Sequence, residues 1–497
     1  MHSLFNNKDE SFGYVPLDQY LHAIDSFEKE KRWKIPLTIM DRAHLVLLRL
    51  VNKYSWFSDF LFVQQDSEIG LGYEQIVNAM RKSFGELRLE KQISPHGLPT
   101  HHEWRMYLGQ TPLSYGSDIV DDNAISKAIG EAFERYFFLK KNVGKDRTDI
   151  HMTYGEIIKK KKEVYFPPLH HTFSKEQLES GNFVKTDTDT KVIWIKGRNV
   201  LTEKTVLIPK QLVFASVQKL VANSEGIMYE ATTNGAAGWF TKDGALYRGL
   251  FELVQRDTFL VAWLTKKAFD TIDVTSFSSD EVKQLVKNFK SAKIEIQLLH
   301  GKNDFGIPTV IVLGIDSRYA KPQAYIVAHS EVTFTKAALC ALYELYPFVQ
   351  YEKVHYSLPD NYNPFTTKGI LKTERMNIWS GTKYVERIQK IQSSAMVRVK
   401  DLSNQEIAGE TDSEILRIIG KRLWAQGEEY IPLYYEAKHP LLKKSGYHVV
   451  KCFIPGLFPF FLSENLATIK SKRLDTYQLT EHSDIISKLY TYPHPFP

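Results

Sequence analysis

The stretch TTNGAAGWFTKDGALYRGLFELVQRDTF, residues 232–259, decides how this chain is read. Asn234-Gly235 is a turn signal, because both residues tolerate backbone angles that most side chains resist. The sequence after it predicts a long helix from about Asp243 to Leu264. Leu250, Phe251, Leu253, Val254, Phe259 and Leu260 leave that helix little polar surface, so it is expected to be mostly buried. Yet it carries Glu252, Gln255, Arg256 and Asp257. Charge in a buried helix is costly unless it is paired or coordinates something.

The pattern has an echo upstream. In AISKAIGEAFERYFF, residues 124–138, Ile125, Ala128, Ile129, Ala132, Phe133, Tyr136 and Phe137 recur as one helical face. Glu131, Glu134 and Arg135 are spaced to share a narrow polar strip beside it. In isolation such a strip reads as a surface salt bridge. Two such helices in one chain point instead to a polar site where they meet. Carboxylates crowded on a rigid helix call for a cation between them, an arginine or a hard metal such as magnesium bridging phosphates.

Outward from these helices, residues 191–217 read as strands, as do Ile294–Leu299, Thr309–Ile315 and Ala324–Ala328. A third helix is predicted over Phe334–Tyr346. The last third alternates through Met396–Val399, a helix at 412–426, Tyr430–Tyr435 and Tyr447–Ile454. Residues 91–123, rich in Gly, Pro, His and Ser, are expected to be loop, and residues 1–66 to be a helical extension. Interleaved strands and helices give an α/β or mixed α+β class.

Composition is ordinary for a globular chain: 497 residues, 43% hydrophobic, 25% charged, with 26 Tyr and 29 Phe. The net charge of +6 is small, and the one dense basic run, Lys159 to Lys162, reads as a solvated helix end, so nucleic acid is not an expected partner. Cys340 and Cys452 are far apart and no Cys-x-x-Cys occurs, which argues against a disulfide framework and a thiolate zinc site. No signal peptide and no apolar run long enough to span a bilayer is visible, so a soluble, cytoplasmic protein is expected, with no membrane partner. The adjacent histidines His101, His102, His170 and His171 read as polar surface. No P-loop, His-Glu-x-x-His or Gly-x-Ser-x-Gly motif is present, so any nucleotide site is of another kind.

These stretches resemble the signatures of the YcaO family. Residues 124–138 and 232–259 look like its first and second motifs, and AALCALYELYPF, residues 337–348, like its third. WSGTKY, residues 379–384, and GYHVVKCFIPGLFPF, residues 446–460, followed by Lys472-Arg473-Leu474, are similar to the C-terminal part of the azoline-forming branch. The closing PHPFP supplies the Pro-x-Pro-x-Pro end typical of that branch. The resemblance implies one domain over residues 67–497, with a proline-rich tail at 491–497, and an α/β fold holding ATP and Mg2+ between helices and sheet. It implies Glu131, Glu134 and Glu252 as magnesium ligands, and Arg135, Asn234, Gln255, Glu344 and Lys127 around the nucleotide. Arg256 and the terminal carboxylate of Pro497 are implied in catalysis.

The implied reaction is ATP-dependent cyclodehydration of Cys, Ser or Thr in a ribosomal precursor peptide. The expected partners are that peptide and a ubiquitin-activating-like (ThiF-like) leader-binding protein, since residues 1–90 are too short to supply that module. Whether a flavin-dependent dehydrogenase later oxidises the rings is left open, as is oligomeric state, relatives often being dimers. The chain departs from the family pattern at Lys127, often Ser, at Gln255, often Glu, and at Cys340, often Arg. Two other readings therefore stand beside the first: thioamide formation with external sulfide, and an inactive scaffold that only binds peptide. Cys340 itself reads as a buried helix cysteine.

Overall fold

In the computed structural model the described residues are 77–78, 80–82, 87–92, 102–118, 120–140, 148–181, 184–349, 353, 356–358, 362–366, 372–475 and 489–496. All belong to one unit, Val77–Pro497. The helical extension expected over residues 1–66 lies outside them, as do His101 and Pro497.

The chain opens with an antiparallel three-stranded sheet: β1 (Leu87–Gln92), β2 (His102–Leu108) and β3 (Thr111–Asp118). This corrects the expected loop over 91–123 at 91–92 and 102–118, while 93–101 and 119 lie outside the described residues. Gly109 marks the tight turn between β2 and β3, Pro112 the start of β3 and Gly116 a close approach within it, while Trp104, Met106 and Leu113 face a core and hold the pair together. Helix α1 (Asp121–Arg135), continued by a π turn through Lys140, lies directly on β3. Contact is so close at Gly116 that a Cβ there would sit 2.0 Å from the Ala124 carbonyl.

A six-stranded sheet follows. It orders β4 (Ile150–Met152), β5 (Val192–Asn199), β13, β14 and β7, with β6 (Thr205–Pro209) paired to β5. After β6 the chain turns helical, with α2 spanning Ala215–Glu225, so the strand reading of 191–217 overran at its end. Next come β7 (Ala236–Trp239) and α3 (Lys242–Leu264). Thr241 caps α3, its hydroxyl accepting from the Gly244 N–H at 3.0 Å.

The third sheet orders β11, β10, β9, β8 and β12. Its members are β8 (Phe269–Ile272), β9 (Ile294–His300), β10 (Thr309–Asp316), β11 (Gln323–Ser330) and β12 (Gln392–Val397). Only the β8–β12 pair is parallel among the described pairings. Helix α4 (Asp280–Ser291) precedes β9, and α5 (Phe334–Val349) follows β11. Two short helices, Lys372–Ile378 and Thr382–Gln389, lead into β12, after which come helix α6 (Asp412–Trp424), β13 (Leu433–Glu436) and β14 (His448–Phe453), the last two completing the second sheet. The strand expected over Met396–Val399 begins earlier, at Gln392, and gives way to a 3-10 turn from Val399, while Tyr430 closes a 3-10 turn before β13. The Lys159–Lys162 run is exposed at the end of a short helix, as read.

Helix α3 joins two cores. Its first half places Ala245, Leu246, Leu250 and Val254 with β14 and α6 in one hydrophobic cluster. Its second half places Phe259, Leu260 and Trp263 against the even-numbered face of β11 in another. Each fully buried side chain of this size contributes roughly 1.5–3 kcal/mol. The polar run Glu252–Asp257 falls at the seam between those cores. No helix among the described residues is long and apolar enough to cross a membrane.

Candidate active site

Three elements hold the polar residues of α1 and α3. On α1, Glu131 accepts from the Tyr115 N–H of β3 at 2.9 Å and is ion-paired with Arg135, which also donates to the Leu113 carbonyl at 3.1 Å. Glu134 accepts from the Gly238 N–H of β7 at 3.0 Å. On α3, Glu252 accepts from the Gly235 N–H at 2.9 Å. That bond needs the Asn234-Gly235 turn, where Gly235 has φ +81° and a Cβ would sit 2.7 Å from the Cys452 carbonyl. The two motif helices therefore meet across β7 and the turn that leads into it.

The charges of the two helices also act on one another. Burial pushes the Glu134 carboxyl well above the usual carboxylate range, and Glu252 and then Glu131 push it further. Glu252 is raised by burial against the pull of Arg256, and the charge of Glu344 on α5 adds to the rise. The Tyr115 hydroxyl is driven up by burial and then by Glu131 and Glu344. Glu131, Glu134, Glu252 and Glu344 are thus coupled electrostatically, with Arg135 and Arg256 opposing the rise.

Arg256 is loosely held. Its nearest contact with Glu252 is 3.9 Å, and its guanidinium lies over the rings of Phe460 and Phe496 at 5.0 and 4.6 Å. Its Nε and the Oδ1 of Asn234 are buried without a hydrogen-bond partner. Buried polar atoms left open in this way are rare and call for an explanation, an absent ligand among them. Gln255 is buried, 5% exposed, within the turn of α3 that follows Glu252. Lys127 stands one turn before Glu131, where Asp118 takes its charge at 2.8 Å and the Ser117 carbonyl accepts at 3.1 Å.

Two members of the site were not singled out in the sequence. Lys451 of β14 is buried, donates to the carbonyls of Thr232 and Asn234, and is lowered by burial to about 8, with Glu252 and Glu134 opposing. Its signal was a lysine inside the apolar run Val449-Val450-Lys451-Cys452-Phe453. Tyr115 sits in a strand that was read as loop. Asp257, counted with the α3 cluster in the sequence, faces elsewhere: Arg473 grips it from both oxygens, with Nη2 at 2.8 Å.

The C-terminal tail runs beside α3. Tyr490 N–H donates to the Leu264 carbonyl at 3.0 Å, Trp263 donates to the Tyr492 carbonyl at 3.0 Å, and Phe496 packs on Phe259 with ring centres 4.2 Å apart. The tail thereby reaches Arg256. His171, expected at the surface, is instead buried, with its ring nitrogens at 2.8 Å from Ser471 Oγ and from the Pro455 carbonyl.

The residues present fit magnesium and a triphosphate. Carboxylates on two helices are electrostatically coupled, arginines stand beside them, and the Asn234 Oδ1 and Arg256 Nε are buried without a partner. The YcaO cyclodehydratase family, described as ATP- and Mg2+-binding, matches residues 115–458, a span that holds every member of the cluster. The chain belongs to the YcaO family. Among solved structures it is similar to a heterocyclase in complex with substrate and cofactor, with TM-score 0.67 and 18% identity over 85% of this chain and 57% of that one. It is also similar to YcaO from Methanopyrus kandleri bound with AMPPCP and Mg2+, with TM-score 0.57 and 13% identity over 80% of this chain and 94% of that one. At these identities the likeness is one of fold. An uncharacterized protein of Methanothermobacter thermautotrophicus is 25% identical over 139 residues, 28% of this chain and 35% of that protein. The chain thus spans little more than half of the first heterocyclase and about a third of the curated relative.

Proposed function

We propose that this protein is an ATP- and Mg2+-dependent cyclodehydratase that converts Cys, Ser or Thr residues of a ribosomal precursor peptide to thiazoline or oxazoline rings. The observation that carries this reading is that Glu134 and Glu252, from the two helices, take hydrogen bonds from Gly238 and Gly235 of one strand and its leading turn, beside the open Asn234 Oδ1. In the reaction, a side-chain S–H or O–H adds to the preceding amide carbonyl. The carbonyl oxygen takes the γ-phosphoryl group with release of ADP. Loss of phosphate and the amide proton leaves the C=N bond of the ring. Bound magnesium would neutralise charge on the transferring group.

Glu131, Glu134 and Glu252 would hold the metal, Gln255 offering a carbonyl oxygen at lower charge, with Glu344 beside the nucleotide. Arg135, Arg256 and Lys127 would steady phosphates, and Asn234 would approach the nucleotide. Arg256, free of a tight carboxylate partner, can meet charge that develops in the transition state. Phe496 lies against Arg256 at 4.6 Å, in keeping with the part that the resemblance gives the Pro497 carboxylate in orienting the peptide or accepting a proton. The precursor peptide and a ThiF-like leader-binding protein are the proposed partners.

The test is mass spectrometry of a Cys-, Ser- or Thr-containing candidate peptide incubated with this protein, ATP, Mg2+ and the partner. Loss of one water per modified residue is expected. Exchange of oxygen for sulfur in the presence of sulfide would replace this reading with thioamide formation. Nucleotide binding without turnover under all conditions would replace it with an inactive scaffold, the outcome that Gln255 invites.

A further inference from the structure

We propose that His329, Glu331 and Cys340 form a second metal site, for a thiophilic divalent cation of the zinc class. In strand β11 the odd-numbered side chains Tyr325 and Val327 pack with Phe334, Ala337 and Ala338 of α5, while Ala324, Ile326 and Ala328 face the α3 core. Strand alternation carries the odd face onward to His329 and, just past the strand, Glu331. Cys340 lies in the second turn of α5, on the helix that this face meets. The three residues each offer a ligand atom, all within 4.8 Å of one another.

The donor set decides the metal. Imidazole, carboxylate and thiolate together suit zinc, whereas magnesium takes oxygen ligands and keeps its waters. Three protein donors leave a fourth tetrahedral position for water or an added thiolate. His329 Nδ1 lies 3.2 Å from the Ser330 carbonyl, and donating its proton there leaves Nε2 with the ring's lone pair. Glu331 Oε2 accepts from the Val332 N–H at 3.1 Å, which fixes the carboxylate. Burial and then Glu331 raise the Cys340 thiol to about 12, with Asp118 and Glu344 adding and Lys127 opposing, so the surroundings are negative and the sulfur would bind by giving up its proton to solvent as the ion arrives. All three ligands are half-buried, which leaves a path for the ion.

Sequence spacing spoke against a thiolate zinc site because it looked for paired cysteines. This trio has one cysteine and is assembled by packing a helix on a strand end. Glu344 follows Cys340 by one helical turn, so the ion would sit beside the carboxylate cluster.

The test uses the full chain, stripped with EDTA and equilibrated with Zn2+ in excess Mg2+, so that hard-oxygen sites are filled. After desalting, zinc per chain is measured by plasma mass spectrometry. About one zinc is expected in the unmutated protein. Cys340→Ser and His329→Ala should each lower the affinity roughly tenfold or more. Loading with Co2+ should give a thiolate-to-cobalt charge-transfer band. The other cysteine, Cys452, is buried with its sulfur against the Leu246 carbonyl, so the band reports Cys340. Equal zinc in Cys340→Ser, or a cobalt spectrum without the thiolate band, overturns the proposal. The cobalt spectrum needs no substitution, so the proposal stays testable if a variant fails to fold.

Discussion

Glu252 and Asp257 stand on the same buried helix and are treated in opposite ways. Asp257 is fully enclosed: both oxygens meet Arg473, and one also accepts from the Phe458 N–H at 2.8 Å. Arg473 in turn reaches Asp304 at 2.6 Å. Glu252 keeps a side-chain exposure of 31%, one backbone donor and a distant arginine at 3.9 Å. The first arrangement is a closed ion pair that locks the C-terminal segment to α3. The second is an open one, with like charges pressed together and hydrogen-bonding capacity left over. A charge buried for structure is fully paired; a charge kept for a ligand is held by one or two backbone donors and otherwise left wanting.

This contrast can be broken by substitution. Arg473→Ala strands Asp257 in the core and should lower unfolding free energy by about 3–5 kcal/mol in denaturant titrations. A loss under 1 kcal/mol would mean that the pair is not the lock described. Glu252→Gln should slow ATP hydrolysis roughly 10²–10³-fold. Its metal-free stability should not fall, because the amide oxygen can still accept from the Gly235 N–H and one of the like charges pressed on Glu134 is removed. A variant that unfolds while its turnover persists would reverse the assignment of the two residues.

Smaller effects sharpen the picture. Mg2+ should add about 2.7 kcal/mol of stability at a hundredfold excess over its Kd, and much less in Glu134→Gln, read from thermal melts with and without EDTA. Equal shifts in both proteins would remove Glu134 from the ligand set. The tail supplies a pH test. His494 is buried, donates from Nε2 to the Phe461 carbonyl at 2.7 Å, and is held well below its ordinary 6.5 by burial and then by Arg375, with Arg256 adding to the effect. A histidine depressed in the folded state stabilises the docked tail above pH 6.5 and loses that contribution as pH falls below it. Each pH unit is worth at most about 1.4 kcal/mol. Protease cleavage near residues 489–496 should therefore rise between pH 7.5 and 5.5, and in His494→Ala it should lose that pH dependence.

Much of this was legible in the sequence, for stated reasons. The helices carrying Glu131 and Glu252 announce themselves through long apolar periodicity, and Asn234-Gly235 through turn chemistry. The β2–β3 hairpin was missed because glycine, proline and serine at its edges mask alternation that becomes visible only when Trp104 and Met106 are seen to share a buried face. Asp257 was grouped with Glu252 because sequence gives adjacency, whereas a helix turns neighbouring side chains about 100° apart. Lys451 and the His329–Glu331–Cys340 trio depend on strands meeting distant segments, which no local pattern encodes. Cys340, read as a buried helix cysteine, is half-buried beside two other ligand groups.

The most direct measurement is calorimetric titration of ATP into the unmutated protein and Glu252→Gln, each with and without Mg2+. Saturable binding that requires Mg2+ and is lost in Glu252→Gln is the predicted result. Binding of equal strength in the variant, or binding indifferent to Mg2+, would contradict the placement of the nucleotide at the meeting of the two acidic helices.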